Sequence, residues 1–215
     1  MMIDYSVYLV TDQFNLSENE FLNIIEEAVK GKTTIVQLRE KDSDTLDFYN
    51  LAVKVKGITD RYDVPLIIND RLDIALAVDC AGVHLGQSDM PCRVARDILG
   101  DDKIIGISAT TYDEAIKAQD DGADYLGVGA IYPTDTKSDA GISTQEDLLK
   151  IKEDITIPVV AIGGVKEDNT RQIIEEYDFD GVAVVSAIML SDNPRESSEN
   201  FSRIIKDLKY NKRLF

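Results

Sequence analysis

Short runs rich in Val and Ile alternate with longer amphipathic stretches from one end of this chain to the other. The strand candidates are residues 7–12, 33–40, 65–70, 82–86, 104–108, 125–132, 158–164 and 181–187. Short, nearly continuous apolar runs of this kind suit strands of a parallel sheet covered on both faces. Helical periodicity falls between them. Residues 20–30 place Phe21, Ile24, Ile25 and Ala28 on one stripe, with Gly31 as a stop. Residues 113–120 carry Ala115, Ile116 and Ala118 before Gly122, and residues 169–176 carry Ile173 and Ile174 after a cap at Asp168. Residues 195–209, with Phe201, Ile204, Ile205 and Leu208, supply the last helix.

The strand starts, from Val7 to Gly181, lie on average about 25 residues apart, the length of one βα unit repeated eight times. Eight units in 215 residues fit the short end of the (β/α)8 barrel range. An open doubly wound sheet would want a glycine fingerprint in its first turn, whereas the first strand ends Val10-Thr11-Asp12-Gln13. No Pro-, Gly- or Ser-rich linker breaks the series. The expected fold is therefore α/β, a (β/α)8 TIM barrel forming a single domain over residues 1–215.

Composition narrows the range of partners. The balance of 23 Lys and Arg against 40 Asp and Glu gives a net charge of −17, which argues against a nucleic-acid partner, since that needs a basic face. No apolar run approaches the roughly 20 residues that span a bilayer, so no membrane association is expected. Met1-Met2-Ile3-Asp4-Tyr5 has no basic flank followed by an apolar stretch, so no signal peptide is expected. Cys80 and Cys92 are too few for a disulfide framework or a four-ligand zinc site, which suits buried thiols in a reducing cytoplasm. Barrels of this size often form homo-oligomers through their outer helices.

In such a barrel the reacting groups sit at the C-terminal strand ends and in the loops that follow. Along residues 33–41 the two-residue period puts Gln37, Arg39 and Lys41 on one face and Val36 and Leu38 on the other. If the apolar pair faces the helices, an amide and two cations point toward the barrel axis. Lone cations there are costly, so they should meet an anionic ligand or partner carboxylates. The third strand ends Asn69-Asp70-Arg71 and the fourth runs into Gly86-Gln87-Ser88-Asp89, so Asp70 and Asp89 can approach each other above the barrel. Two carboxylates among several cations suit a Mg2+ that keeps waters and binds a diphosphate. A general acid and base pair is the other use of such residues. His84, the one histidine, reads as a packed, hydrogen-bonded core group.

The loop after the sixth strand offers Thr134, Thr136 and Lys137 to a carboxylate or phosphate, with closure through Ala140-Gly141. Gly163-Gly164 after the seventh strand, and Ser186 ending the eighth, let backbone N–H groups approach a phosphate monoester. Two anion sites then share one mouth, one cationic and metal-assisted, the other built largely of amides. The acidic overall field makes the local cations more necessary.

These residues resemble the thiamine phosphate synthase (thiamine-phosphate pyrophosphorylase) family. The resemblance runs from Val7-Tyr8-Leu9-Val10-Thr11-Asp12 to Val185-Ser186-Ala187. Its most specific pieces are Gln37-Leu38-Arg39-Glu40-Lys41, Asn69-Asp70-Arg71, Val83-His84-Leu85-Gly86-Gln87-Ser88-Asp89, Pro133-Thr134-Asp135-Thr136-Lys137 and Ala161-Ile162-Gly163-Gly164. It implies a transferase of thiamine biosynthesis that joins the diphosphate of hydroxymethylpyrimidine to thiazole ethyl phosphate, or its carboxylated tautomer, with release of pyrophosphate. It further implies that Gln37, Arg39, Lys41, Asn69, Ser108 and Lys137 hold the pyrimidine diphosphate, and that Asp70 and Asp89 ligate Mg2+. Arg39, Lys41, Lys137 and Ser108 would be the catalytic set. Thr134, Thr136, Gly164, Val185 and Ser186 would hold the thiazole phosphate. Two departures from the family pattern stand out: Ala130 where proline is frequent, and Ala109-Thr110-Thr111 after Ser108 where a histidine is frequent.

Three other readings compete with this one. A thiazole tautomerase is a similar barrel but needs no diphosphate and metal set, so Arg39, Lys41, Asp70 and Asp89 argue against it. A non-catalytic phosphate sensor predicts binding without turnover. An isomerase or aldolase would need a positioned base or a Schiff-base lysine, for which Lys137 is the candidate.

Overall fold

The computed structural model describes residues 3–134 and 141–212. Each expected apolar run contains a strand: β1 (Val7–Val10), β2 (Ile35–Leu38), β3 (Leu66–Asn69), β4 (Gly82–Leu85), β5 (Ile104–Ala109), β6 (Tyr125–Val128), β7 (Val159–Ile162) and β8 (Gly181–Val184). All are parallel, paired in chain order, and closed into a barrel by β1 against β8. The helices are α1 (Glu18–Lys30), α2 (Thr45–Asp60), α3 (Leu72–Ala77), α4 (Cys92–Leu99), α5 (Tyr112–Asp120), α6 (Gln145–Asp154), α7 (Glu167–Tyr177), α8 (Ser186–Met189) and α9 (Pro194–Lys212). This is the (β/α)8 architecture that the repeat spacing predicts. None of the described helices is long and apolar enough to cross a membrane.

Two details differ from the sequence expectation. Seven strands are shorter than the apolar runs, and β5 is one residue longer; polar ends of those runs, such as Arg39 and Glu40, already belong to the loops over the barrel mouth. The cap of α7 is Lys166 rather than Asp168: the Asn169 side chain accepts the Lys166 N–H at 2.9 Å, leaving Asp168 inside the first turn.

Two apolar layers result. Val36, Leu38 and their counterparts on the other strands pack outward against the helices, as the alternation along β2 requires. Inside the barrel, Tyr8, Ile35, Ile67, Tyr125, Val160 and Ala183 fill the space between strands. Tyr125 enters this inner layer because β5 carries Gly106 opposite it, where an added Cβ would lie 2.0 Å from the tyrosine Cζ. Burying a large apolar ring is worth on the order of 1.5–3 kcal/mol, but a phenol buried this deeply must find a partner for its hydroxyl. Those partners lead up to the mouth.

Candidate active site

A cavity of about 490 Å3 opens at the C-terminal ends of the strands. A wider cleft of about 1060 Å3 near Lys30, Lys32 and Arg195 lies at the opposite, N-terminal end, away from the polar strand ends. Gln37, Arg39, Lys41, Asn69, Asp70, Asp89, Ser108, Thr134 and Val185 all face the mouth cavity. Gly164 and Ser186 do not form its wall. Gly164 packs against the Tyr132–Pro133 backbone leading to Thr134, and Ser186 opens α8 one residue after Val185. Thr136 and Lys137 lie outside the described residues.

The cations on β2 meet carboxylates. The Lys41 ammonium sits 2.5 Å from Asp70, and Arg39 reaches Asp12 at a looser 3.5 Å. The Arg39 N–H also donates to the Thr11 hydroxyl at 3.2 Å, which ties the end of β2 to β1. Asp70 occupies the left-handed region at φ 62°, and its N–H donates to the His84 carbonyl at 2.9 Å. A non-glycine residue held there is strained, and here the turn carries its carboxylate to Lys41 and Asp89. Asp89 accepts the Gly86 N–H at 2.8 Å, and its carboxyl lies beside that of Asp70. Burial raises the Asp89 carboxyl above the ordinary aspartate value, and the neighbouring Asp70 raises it further against the opposing pull of Lys41.

Beside this cluster the Asn69 side chain is buried, and its Nδ2 has no hydrogen-bond partner in the protein. A buried donor left unmatched at a cavity wall is a place for a ligand acceptor. Among the described residues the wall carries two cations, Arg39 and Lys41, against three acids, Asp70, Asp89 and Glu114. Without further positive charge such a wall repels a diphosphate. No group of three or more His, Cys, Asp or Glu residues suited to a metal occurs among the described residues. The pair Asp70 and Asp89 supplies hard oxygen donors only, the kind that suits a hydrated magnesium ion rather than a caged transition metal.

Several residues at the mouth are not singled out by sequence reasoning. Glu114 accepts the backbone N–H groups of Thr110 at 2.6 Å and Thr111 at 3.2 Å, fixing the loop that follows Ser108. Its signal was legible, since Thr111 and Glu114 stand in capping-box spacing. The Thr110 hydroxyl donates to the Gly129 carbonyl at 3.1 Å, joining the β5 and β6 loops. Gln87 donates to the Ser108 carbonyl at 2.7 Å. Asn169 donates to the Gly164 carbonyl at 2.9 Å, bracing the Gly163-Gly164 turn from the start of α7. His84 is the buried, hydrogen-bonded group expected, yet it also faces the cavity and bonds Ser108 Oγ at 2.9 Å.

Known proteins resemble this chain along nearly its whole length. Residues 7–188 match the family model described as thiamine monophosphate synthase. The chain is 55% identical over 204 residues to a thiamine-phosphate synthase of Methanobrevibacter smithii, covering 95% of this chain and 97% of that one. It is 52% identical over 204 residues to its namesake from Alkaliphilus oremlandii, with the same coverage of 95% and 97%. Among solved structures, thiamine phosphate pyrophosphorylase from Pyrococcus furiosus superposes with a TM-score of 0.87 at 38% identity, covering 95% of this chain and 97% of that one. The chain belongs to the thiamine monophosphate synthase family, transferases of thiamine biosynthesis.

Proposed function

We propose that this barrel joins the diphosphate of hydroxymethylpyrimidine to thiazole ethyl phosphate, or to its carboxylated tautomer, and releases pyrophosphate. The observation that carries the reading is the cluster of Lys41, Asp70 and Asp89 beside Arg39, facing Ser108 across one cavity. In this reading Gln37, Arg39, Lys41, Asn69, Ser108 and Lys137 hold the pyrimidine diphosphate. Thr134, Thr136, Gly164, Val185 and Ser186 hold the thiazole phosphate. Asp70 and Asp89 would hold a magnesium ion. The excess of acids over cations on the described wall supports that assignment, because a diphosphate needs added positive charge to enter.

The reaction breaks the bond between the pyrimidine methylene and the diphosphate oxygen and forms one from that carbon to the thiazole nitrogen. When bound, the metal supplies charge neutralisation to the leaving oxygens. Arg39 and Lys41 are preorganised for the same purpose, each held by a carboxylate before substrate arrives. The electron-rich aminopyrimidine can carry positive charge at the methylene, so bond breaking runs ahead of bond making. The thiazole nitrogen is itself the nucleophile, so neither a side-chain nucleophile nor a general base is needed at the bond-forming step. The residues of the mouth position two substrates and exclude water from the cationic carbon.

The buried thiols of Cys80 and Cys92 suit a reducing cytoplasm, and the net charge of −17 argues against nucleic acid as a partner. The test of the function is a coupling assay with each substrate omitted in turn. Pyrophosphate should appear only when both are present. Thiazole phosphate binding without turnover would instead identify a non-catalytic phosphate sensor.

A further inference from the structure

A continuous line of side chains crosses the barrel interior beneath the mouth. Gln37 Nε2 on β2 donates to the Tyr8 hydroxyl on β1 at 2.9 Å. The Tyr8 and Tyr125 hydroxyls meet at 2.6 Å. Tyr125, on β6, meets His84 Nδ1 on β4 at 2.9 Å, and His84 Nε2 meets Ser108 Oγ on β5 at 2.9 Å. Tyr8 is 1% exposed and Tyr125 is fully buried, so water is not at hand to replace either phenol. Space for the imidazole comes from Gly127, where an added Cβ would lie 3.0 Å from His84 Cε1.

With the Gln37 amide placed to donate to Tyr8, the proton count along this line has one solution that leaves no hydroxyl proton stranded. The Tyr8 oxygen accepts from Gln37, so its own proton goes to Tyr125. The proton of Tyr125 then goes to His84 Nδ1, which must be bare to accept it. A neutral imidazole so fixed carries its proton on Nε2 and donates to Ser108 Oγ. The Ser108 proton is left to point into the cavity, and at the other end Gln37 keeps its carbonyl oxygen for a ligand. Reversing any one bond reverses all of them and exchanges donor for acceptor at both ends.

We infer that Tyr8, Tyr125 and His84 are positioning residues that hold Ser108 as a hydrogen-bond donor and the Gln37 carbonyl as an acceptor toward the substrate ring. This rests on the aminopyrimidine reading above. Such a ring offers bare nitrogens that accept and an exocyclic amino group that donates, so it fits one polarity of the line and not the other. The line therefore selects the ring's orientation, and with it the direction in which the diphosphate points.

The chain has a single histidine, so protein labelled with 15N only at histidine reports the state of this one ring. Long-range 1H–15N spectra should show the Nε2–H tautomer in the wild type. Tyr125→Phe keeps the ring but removes the hydroxyl that fixes Nδ1. It should mix the two tautomers and lower kcat about tenfold or more, leaving the KM for thiazole phosphate within about twofold. His84→Gln, whose amide can still donate to Ser108, should retain more activity than His84→Asn, which cannot reach it. An Nδ1–H tautomer in the wild type would overturn the inference. So would a Tyr125→Phe protein that melts earlier yet keeps its kcat, since that marks a purely structural bond. Absence of coupling activity in the wild type would refute the function while leaving the tautomer measurement standing.

Discussion

Gly164 offers a sharp test of the division into two subsites. It lies at φ +66°, and an added Cβ would stand 2.7 Å from Tyr132 Cβ, 2.9 Å from the Pro133 oxygen and 3.0 Å from the Tyr132 oxygen. Holding an L-residue in the left-handed region costs about 1–2 kcal/mol, and forcing a methyl into a packed contact costs about 1–3 kcal/mol more. Two of the three neighbours are backbone atoms of the segment that leads to Thr134, so they cannot simply rotate away. The turn is also pinned by Asn169, which donates to the Gly164 carbonyl and accepts the Lys166 N–H, each at 2.9 Å. Gly164→Ala should therefore shift the turn and withdraw its amides from the thiazole phosphate. At about 1.4 kcal/mol per factor of ten, the KM for thiazole phosphate should rise roughly 10- to 100-fold. The KM for the pyrimidine diphosphate should rise far less, because Arg39, Lys41 and Asp70 are held by β1 to β3 and share no partner with the turn, leaving Lys137 as the one holder on the displaced segment. Initial rates of pyrophosphate release with one substrate varied at a time, together with a melting curve, make the measurement. A lower Tm with both KM values unchanged would reduce Gly164 to a structural turn. Both KM values rising alike would refute two subsites.

Asp70→Ala and Asp89→Ala should each lower turnover by about 100-fold or more while thiazole phosphate binding, followed by calorimetry, persists. Arg39→Ala should raise the pyrimidine diphosphate requirement by about tenfold or more through loss of a charge-assisted contact, and that for thiazole phosphate far less; equal changes would contradict the assignment. Asp89→Asn should make the metal-free protein more stable at neutral pH. The Asp89 carboxyl is raised in the folded state, chiefly by burial, so its contribution is present below the ordinary aspartate value and lost as pH rises through the raised one. Relief of such functional strain is commonly worth about 0.5–2 kcal/mol, and the gain in Tm should shrink as the pH falls toward the carboxylate range.

The barrel was legible because eight short apolar runs recur at one βα spacing, and a parallel sheet covered on both faces leaves few other folds for that pattern. The cationic wall was legible from the period of β2, since Gln37, Arg39 and Lys41 had to share the face opposite Val36 and Leu38. The approach of Asp70 to Asp89 followed from strand order alone. What stayed hidden depends on distances across the barrel. Asp12 as the partner of Arg39, and the line from Gln37 to Ser108 through Tyr8, Tyr125 and His84, join residues up to 117 positions apart, and no local pattern marks such pairs. Gly106 and Gly127 read as ordinary strand glycines until the rings they make room for are in place. The bracing of Gly164 by Asn169 was hidden for a simpler reason: the sequence offers Asp168 as the cap of α7, two residues beyond Lys166 where the helix begins.

The central claim is that Asp70 and Asp89 would hold a divalent ion whose charge, with that of Arg39 and Lys41, would let the diphosphate depart. It is tested most directly by the rate of pyrophosphate release, with both substrates present, after chelation and then during titration with Mg2+. The account predicts near-complete loss of the rate on chelation and saturable recovery with Mg2+, abolished in Asp70→Ala and Asp89→Ala. A rate unchanged by chelation, or one that Mg2+ restores equally in both variants, would contradict it.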